Sequence, residues 1–168
     1  MHDPDNIVLI GMPGVGKSTA GVLLAKRLSR DFVDTDVMIQ AAEKRRLQDI
    51  IDTDGLDAFR RLEERQVLSL DCRGHVVATG GSVVYSPRAM VHLGDGGTIV
   101  HLELPLDVLR KRLTDLDSRG VVMAPGETLG RLYDERMPLY RRWADVTVSC
   151  EGLSHEEVVD AIVEALDK

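Results

Sequence analysis

One short run near the amino end constrains this chain more than anything else in it. Gly11-Met12-Pro13-Gly14-Val15-Gly16-Lys17-Ser18-Thr19 satisfies the spacing GxxxxGK[ST] at every fixed position. It follows a short apolar run, Ile7-Val8-Leu9-Ile10, and leads into a helical stripe of Ala20, Leu24 and Leu28. Strand, glycine loop and helix in that order aim backbone N–H groups and the positive end of a helix at one point. Such a point binds polyphosphate. Lys17 would reach the outer phosphates and Ser18 would ligate Mg²⁺, with Gly11, Gly14, Val15, Gly16 and Thr19 completing the cradle. ATP and Mg²⁺ are the ligands this motif calls for.

The rest of the chain fits an α/β class. Short β-branched runs at residues 76–78, 98–104 and 146–148, with a weaker one at 31–34, alternate with helical patterns. The stripe Val158, Val159, Ile162, Val163 and Leu166 over residues 155–167 is the clearest of these patterns. That alternation predicts a parallel sheet with right-handed crossovers and helices on both faces. A length of 168 residues suits one domain, 1–168, and with aromatics at 4% the core must come from Val, Leu, Ile and Ala. The net charge of −7 argues against a nucleic-acid partner but leaves room for a small anion where arginines are focused.

Cys72 and Cys150, far apart and in no CxxC arrangement, read as free thiols of a reducing compartment. The polar, acidic first residues and the lack of any long apolar run predict a cytoplasmic chain with no membrane segment. No internal repeat or low-complexity linker appears. Residues 115–127, with Gly120, Pro125 and Gly126 and no clean periodicity, form either a lid or an ordinary surface loop.

Four further features bear on what receives the phosphate. Asp34-Thr35-Asp36 ends the second strand, where one carboxylate would stand near magnesium and the other would take a proton from a hydroxyl. The competing reading is an Asx turn capping a helix that begins near Val37. Arg60 and Glu63 share one helical face, which by itself is a common surface pairing. The strand at 76–78 runs into Thr79-Gly80-Gly81-Ser82, where backbone N–H groups would meet an anion. Arg136 falls on the apolar stripe of Leu129, Leu132 and Tyr140, so it faces either a buried carboxylate or an anionic ligand, and Pro138 should disturb the helix beyond it. His75, His92, His101 and His155 have no metal-ligand spacing and read as surface or satisfied histidines. Trp143 is expected to pack near the last strand.

In this order and spacing the set resembles the shikimate kinases, from Ile7 to about Asp145. The resemblance implies a P-loop three-layer α/β/α sandwich of the nucleoside monophosphate kinase-like group, with a five-stranded parallel sheet of order 2-3-1-4-5. It implies an acceptor-binding helical segment at about 36–72 and a lid at about 115–127. Asp36 would face the acceptor hydroxyls, Arg60 and Arg136 its carboxylate, and Gly80-Gly81 would donate from the backbone, with Glu63 and Ser82 beside them. Asp34 would stand near Mg²⁺ through water, Arg119 would close over the phosphates, and Arg110 would stack on adenine.

Three positions depart from the pattern: Ser82 for a third glycine, Leu56 for a glutamate, and Gly120-Val121-Val122 for the Pro-Leu-Leu of the lid. The function implied is phosphorylation of shikimate to shikimate 3-phosphate, by a monomer acting on a small carboxylated acceptor. Because the departures sit at the acceptor or the lid, homoserine, gluconate or a related hydroxy acid stays open as acceptor, as does a catalytically weak nucleotide-binding regulator.

Overall fold

The computed structural model describes residues 5–115 and 126–168. Five strands, β1 (Asn6–Ile10), β2 (Asp31–Asp34), β3 (His75–Ala78), β4 (Gly97–Glu103) and β5 (Val146–Ser149), form one parallel sheet in the order β2-β3-β1-β4-β5. This is the predicted order. Sequence and position in the sheet agree: central β1 is buried at every residue, whereas edge strand β5 alternates between exposed and covered positions. Edge strand β2 is only half covered, which is why its apolar signal is the weakest.

Helix α1 (Lys17–Leu28) packs on α8 (His155–Leu166) and on β3. Helices α5 (Pro87–Asp95) and α7 (Leu129–Trp143) pack against β4. Val8, Leu9, Ile10, Leu24, Val76, Val77, Val100 and Ile162 are among the side chains of the large core between these layers. Helices α2 (Thr35–Glu43), α3 (Leu47–Asp54) and α4 (Leu56–Leu68) enclose a separate small core of Ile39, Leu47, Ile50, Ile51 and Phe59. Helix α6 (Leu106–Asp115) follows β4, and a single 3₁₀ turn spans Val83–Tyr85. Among the described residues no helix is long and apolar enough to cross a membrane.

Two expectations need correcting. Helix α7 continues through Pro138 to Trp143. Pro138 is exposed, so solvent replaces the missing intrahelical bond and no break results. His101 is neither at the surface nor satisfied: it is fully buried in β4 with no partner for either ring nitrogen among the described residues. Its ring stacks on Tyr140 with centroids 5.1 Å apart, and burial pushes its pKa down to about 4, so it stays neutral.

Because all strands are parallel, Ile10, Asp34 and Ala78 end at the same edge of the sheet. Strand β1 lies beside β3, and β3 beside β2. The loops that follow these strands, at residues 11–16, 34–36 and 79–82, therefore converge.

Candidate active site

The loop after β1 bends as its glycines allow. Gly16 sits at φ 100°, a left-handed conformation that costs a side-chain-bearing residue free energy, and hands the chain directly to α1. No side chain caps α1, as none caps α3 or α4, whereas Asp34, Ser86, Thr128 and Ser154 cap α2, α5, α7 and α8. The first N–H groups of α1 are thus left for a ligand. Lys17 Nζ donates to the carbonyl oxygens of Gly11 at 2.7 Å and Met12 at 3.0 Å. Burial holds the ammonium's pKa down at about 8, against the pull of the Asp36 carboxylate. Arg112 Nη1 donates to the carbonyls of Gly14 and Val15, both at 3.3 Å.

Asp34 caps a helix, as the competing reading had it, with α2 beginning at Thr35. Its Oδ1 accepts from the N–H groups of Asp36 at 2.9 Å and Val37 at 3.2 Å, which is the helix cap, and its Oδ2 accepts from Ser18 Oγ at 2.6 Å. A hydroxyl and a carboxylate held together form an oxygen-only donor set of the kind Mg²⁺ takes. Capping by Asp34 leaves Asp36 to point elsewhere. Asp36 Oδ1 is buried with no partner among the described residues, and burial, then the neighbouring Asp34, raises the carboxyl to about 6.

Asp36 opens on a cavity of about 300 Å³ lined by Lys17, Ser18, Asp34, Leu56, Phe59, Glu63, Gly80, Gly81, Ser82 and Arg136, among others. The sequence reading makes Gly80 and Gly81 backbone donors. In the structure the Gly80 N–H donates to Thr35 Oγ1 at 3.2 Å. What the glycines supply is room. A side chain on Gly80 would begin 2.7 Å from Asp36 Oδ1 and closer still to Glu63 Oε2, and one on Gly81 would begin 2.8 Å from Arg136 Nη1. Glycine is required there so that these charged groups can approach.

Arg60 and Glu63 share a face of α4 but form no ion pair. Glu63 is buried and accepts at Oε1 from Ser82 Oγ at 2.7 Å, while Oε2 has no partner among the described residues. Burial lifts its carboxyl to about 7 despite the Ser82 hydrogen bond. The Arg60 guanidinium lies 4.3 Å above the Tyr85 ring and that of buried Arg136 lies 5.4 Å from it. Arg136 Nε also donates to the Tyr85 hydroxyl at 3.3 Å, and Tyr140 Oη donates to the Gly81 carbonyl at 2.5 Å.

A phosphate cradle, a buried carboxylate and one arginine around a cavity at the sheet edge, with a second arginine beside the first on Tyr85, fit the sequence-level resemblance. Residues 13–167 match the family model described as shikimate kinase. The chain belongs to the shikimate kinase family. It is 37% identical to the shikimate kinase of Tolumonas auensis over 99% of both chains. Its fold superposes on the shikimate kinase from Acinetobacter baumannii in complex with shikimate with a TM-score of 0.87, at 27% identity, covering 96% of this chain and 92% of that one. A gluconokinase from Sinorhizobium meliloti, 20% identical with a TM-score of 0.53 over 99% of this chain and 94% of that one, shares the fold alone.

Within this family member the structure brings Lys17, Ser18, Asp34, Asp36, Glu63, Gly80, Gly81, Ser82 and Arg136 to one cavity, with Arg60 beside it on Tyr85. Arg110 stands apart, exposed on α6, where its Nη2 lies 3.0 Å from the point at which a Gly130 side chain would begin. Arg119 and residues 120–122 lie outside the described residues. Sequence reasoning missed Arg112, Tyr85 and Tyr140. Only Tyr140 left a signal, since it shares the stripe of Arg136.

Proposed function

We propose that this chain phosphorylates shikimate, moving the γ-phosphoryl group of ATP to a ring hydroxyl. The reading is carried by three buried polar atoms without partners among the described residues: donor Arg60 Nε and acceptors Asp36 Oδ1 and Glu63 Oε2. A buried polar atom without a partner costs on the order of 1–3 kcal/mol, so such a set is kept for a ligand of complementary chemistry. A molecule with a carboxylate at one end of a ring and hydroxyls at the other is that ligand. The resemblance to a shikimate kinase described in complex with shikimate supports it.

Asp36 orients the acceptor hydroxyl and takes its proton as the new O–P bond forms and the bond to the β–γ bridging oxygen breaks. ADP and the phosphorylated acceptor are the products. Lys17 exchanges the carbonyls of Gly11 and Met12 for phosphate oxygens, and the N–H groups of α1 hold the others. Ser18, and Asp34 through water, would hold Mg²⁺, which when bound neutralises charge on the phosphates. Arg60 and Arg136 receive the acceptor's carboxylate, Arg119 closes over the phosphates from the lid at about 115–127, and Arg110 stacks on adenine. Residues 36–72 carry much of the acceptor half of a single, monomeric kinase domain.

A coupled assay of ADP release over shikimate, homoserine, gluconate and related hydroxy acids tests this. Turnover of shikimate far above the rest is expected. Turnover of another acid with shikimate inert would sink the reading, and ATP binding without turnover of any acceptor would point to a regulator.

A further inference from the structure

Ser82 stands where the family resemblance calls for glycine, and nothing in its backbone requires glycine, since its φ is −95°. The side chain is buried at 7% exposure and its hydroxyl is directed at one target, Glu63 Oε1, 2.7 Å away. Glu63 is itself 3% exposed. Its other oxygen, Oε2, crowds the same point beside Gly80 as Oδ1 of Asp36, the residue assigned above to the reacting hydroxyl.

A carboxylate that deep in a protein either takes a proton or finds donors. The charged groups around Glu63 divide. Asp36 of α2 repels its charge, while Arg60 on the same helix, Arg136 of α7 and Lys17 of α1 favour it. Tyr140 of α7 also faces it and stays protonated. Among the described residues the Ser82 hydroxyl is the one group that donates a hydrogen bond to this carboxylate.

We propose that Ser82 is a positioning residue for phosphoryl transfer: its hydroxyl holds Glu63 as a carboxylate, with Oε2 presented to the acceptor hydroxyls beside Asp36. The inference rests on the reading of shikimate as acceptor. Glu63 then grips a hydroxyl most strongly in its charged form, as an acceptor alone, and Ser82 sets the pH at which that form is lost.

The test measures S82A and S82G across pH 6–9, with S82G as the variant that keeps the site open should S82A fold poorly. Without the serine the acid limb of kcat/KM for shikimate should move up by about one pH unit. At pH 7 KM for shikimate should rise several-fold with KM for ATP unchanged, and the deficit should shrink to under twofold by pH 9. A role in packing alone would give a loss independent of pH. In an E63Q background S82A should add nothing.

The Glu63 carboxyl, titrated by carbon-13 NMR in the unliganded protein, should show the same upward move. This measurement needs no acceptor, so it stands even if shikimate is inert. An unchanged or lowered titration midpoint in both serine variants overturns the proposal, as does a shifted midpoint with an unshifted kinetic profile.

Discussion

The two ends of the candidate site are built on opposite plans. At the nucleotide end polar groups are engaged with one another: Lys17 with two loop carbonyls, Ser18 with Asp34, and Arg112 with two more carbonyls. At the acceptor end Asp36, Arg60 and Glu63 each keep a buried atom without a partner among the described residues. The nucleotide end can rest closed on itself and must exchange bonds to bind. The acceptor end is already arranged and carries the cost of waiting. Substitutions at the first should therefore change affinity through competition among partners, while those at the second should act directly on the reacting groups.

The largest effect expected is at Asp36. D36N keeps the shape and removes the base, so kcat should fall by about 10²–10⁴ while ATP affinity, by calorimetry, holds within twofold. Wild-type turnover in D36N would erase the distinction between the two ends. Next come the arginines. R60A and R136A should each raise KM for shikimate by roughly 10- to 100-fold, the worth of a charge-assisted hydrogen bond of about 1.5–3 kcal/mol. Steady-state kinetics with either substrate varied would show whether the loss stays at the acceptor end.

A smaller effect is expected at Tyr85. Y85F keeps the ring beneath both guanidinium groups and loses the hydroxyl's bonds to Arg136 Nε and to the Glu135 side chain, so KM should rise about twofold to fivefold. Y85A should cost more, and equal effects would show that the ring itself does nothing.

The smallest effect concerns stability. With its carboxyl at about 7 in the fold against an ordinary 4.5, Glu63 binds more protons folded than unfolded between those values. Its contribution to stability therefore falls as pH rises through that window. E63Q lacks this penalty, so its thermal midpoint should exceed that of the wild type by a few degrees above about pH 7. The gain should vanish below about pH 4.5. A pH-independent difference would mean that burial of charge is not what sets the acceptor end apart.

Much of the fold was legible because period and burial coincide. The continuous apolar run of β1 could only be a central strand, and the glycine loop after it pinned the topology's starting point. Asp36 and Arg136 were legible for a related reason: a charged residue at a strand end or on an apolar stripe contradicts its surroundings. Tyr85 gave no such contradiction. It sits in a single 3₁₀ turn, too short for a period, and its importance lies in guanidinium groups brought from α4 and α7.

The Ser82–Glu63 bond joins residues far apart in sequence, and no local pattern encodes it. His101 was hidden the other way, as a polar residue inside a strand whose neighbours are apolar. Arg110 and Arg112 share one basic run, and only the packing of α6 decides which of them touches the phosphate loop.

The two guanidinium groups on Tyr85 belong to different cores. Arg60 adjoins Phe59 of the small α2–α4 cluster, and Arg136 lies between Leu132 and Met137 of the large one. One aromatic ring thus holds two like charges on adjoining halves of the molecule. An acceptor's carboxylate placed between them would neutralise that repulsion and fasten the halves together at the same moment. The acceptor is then also a rivet, and an analogue without the carboxylate would leave the seam between the two cores open however well its hydroxyls fit.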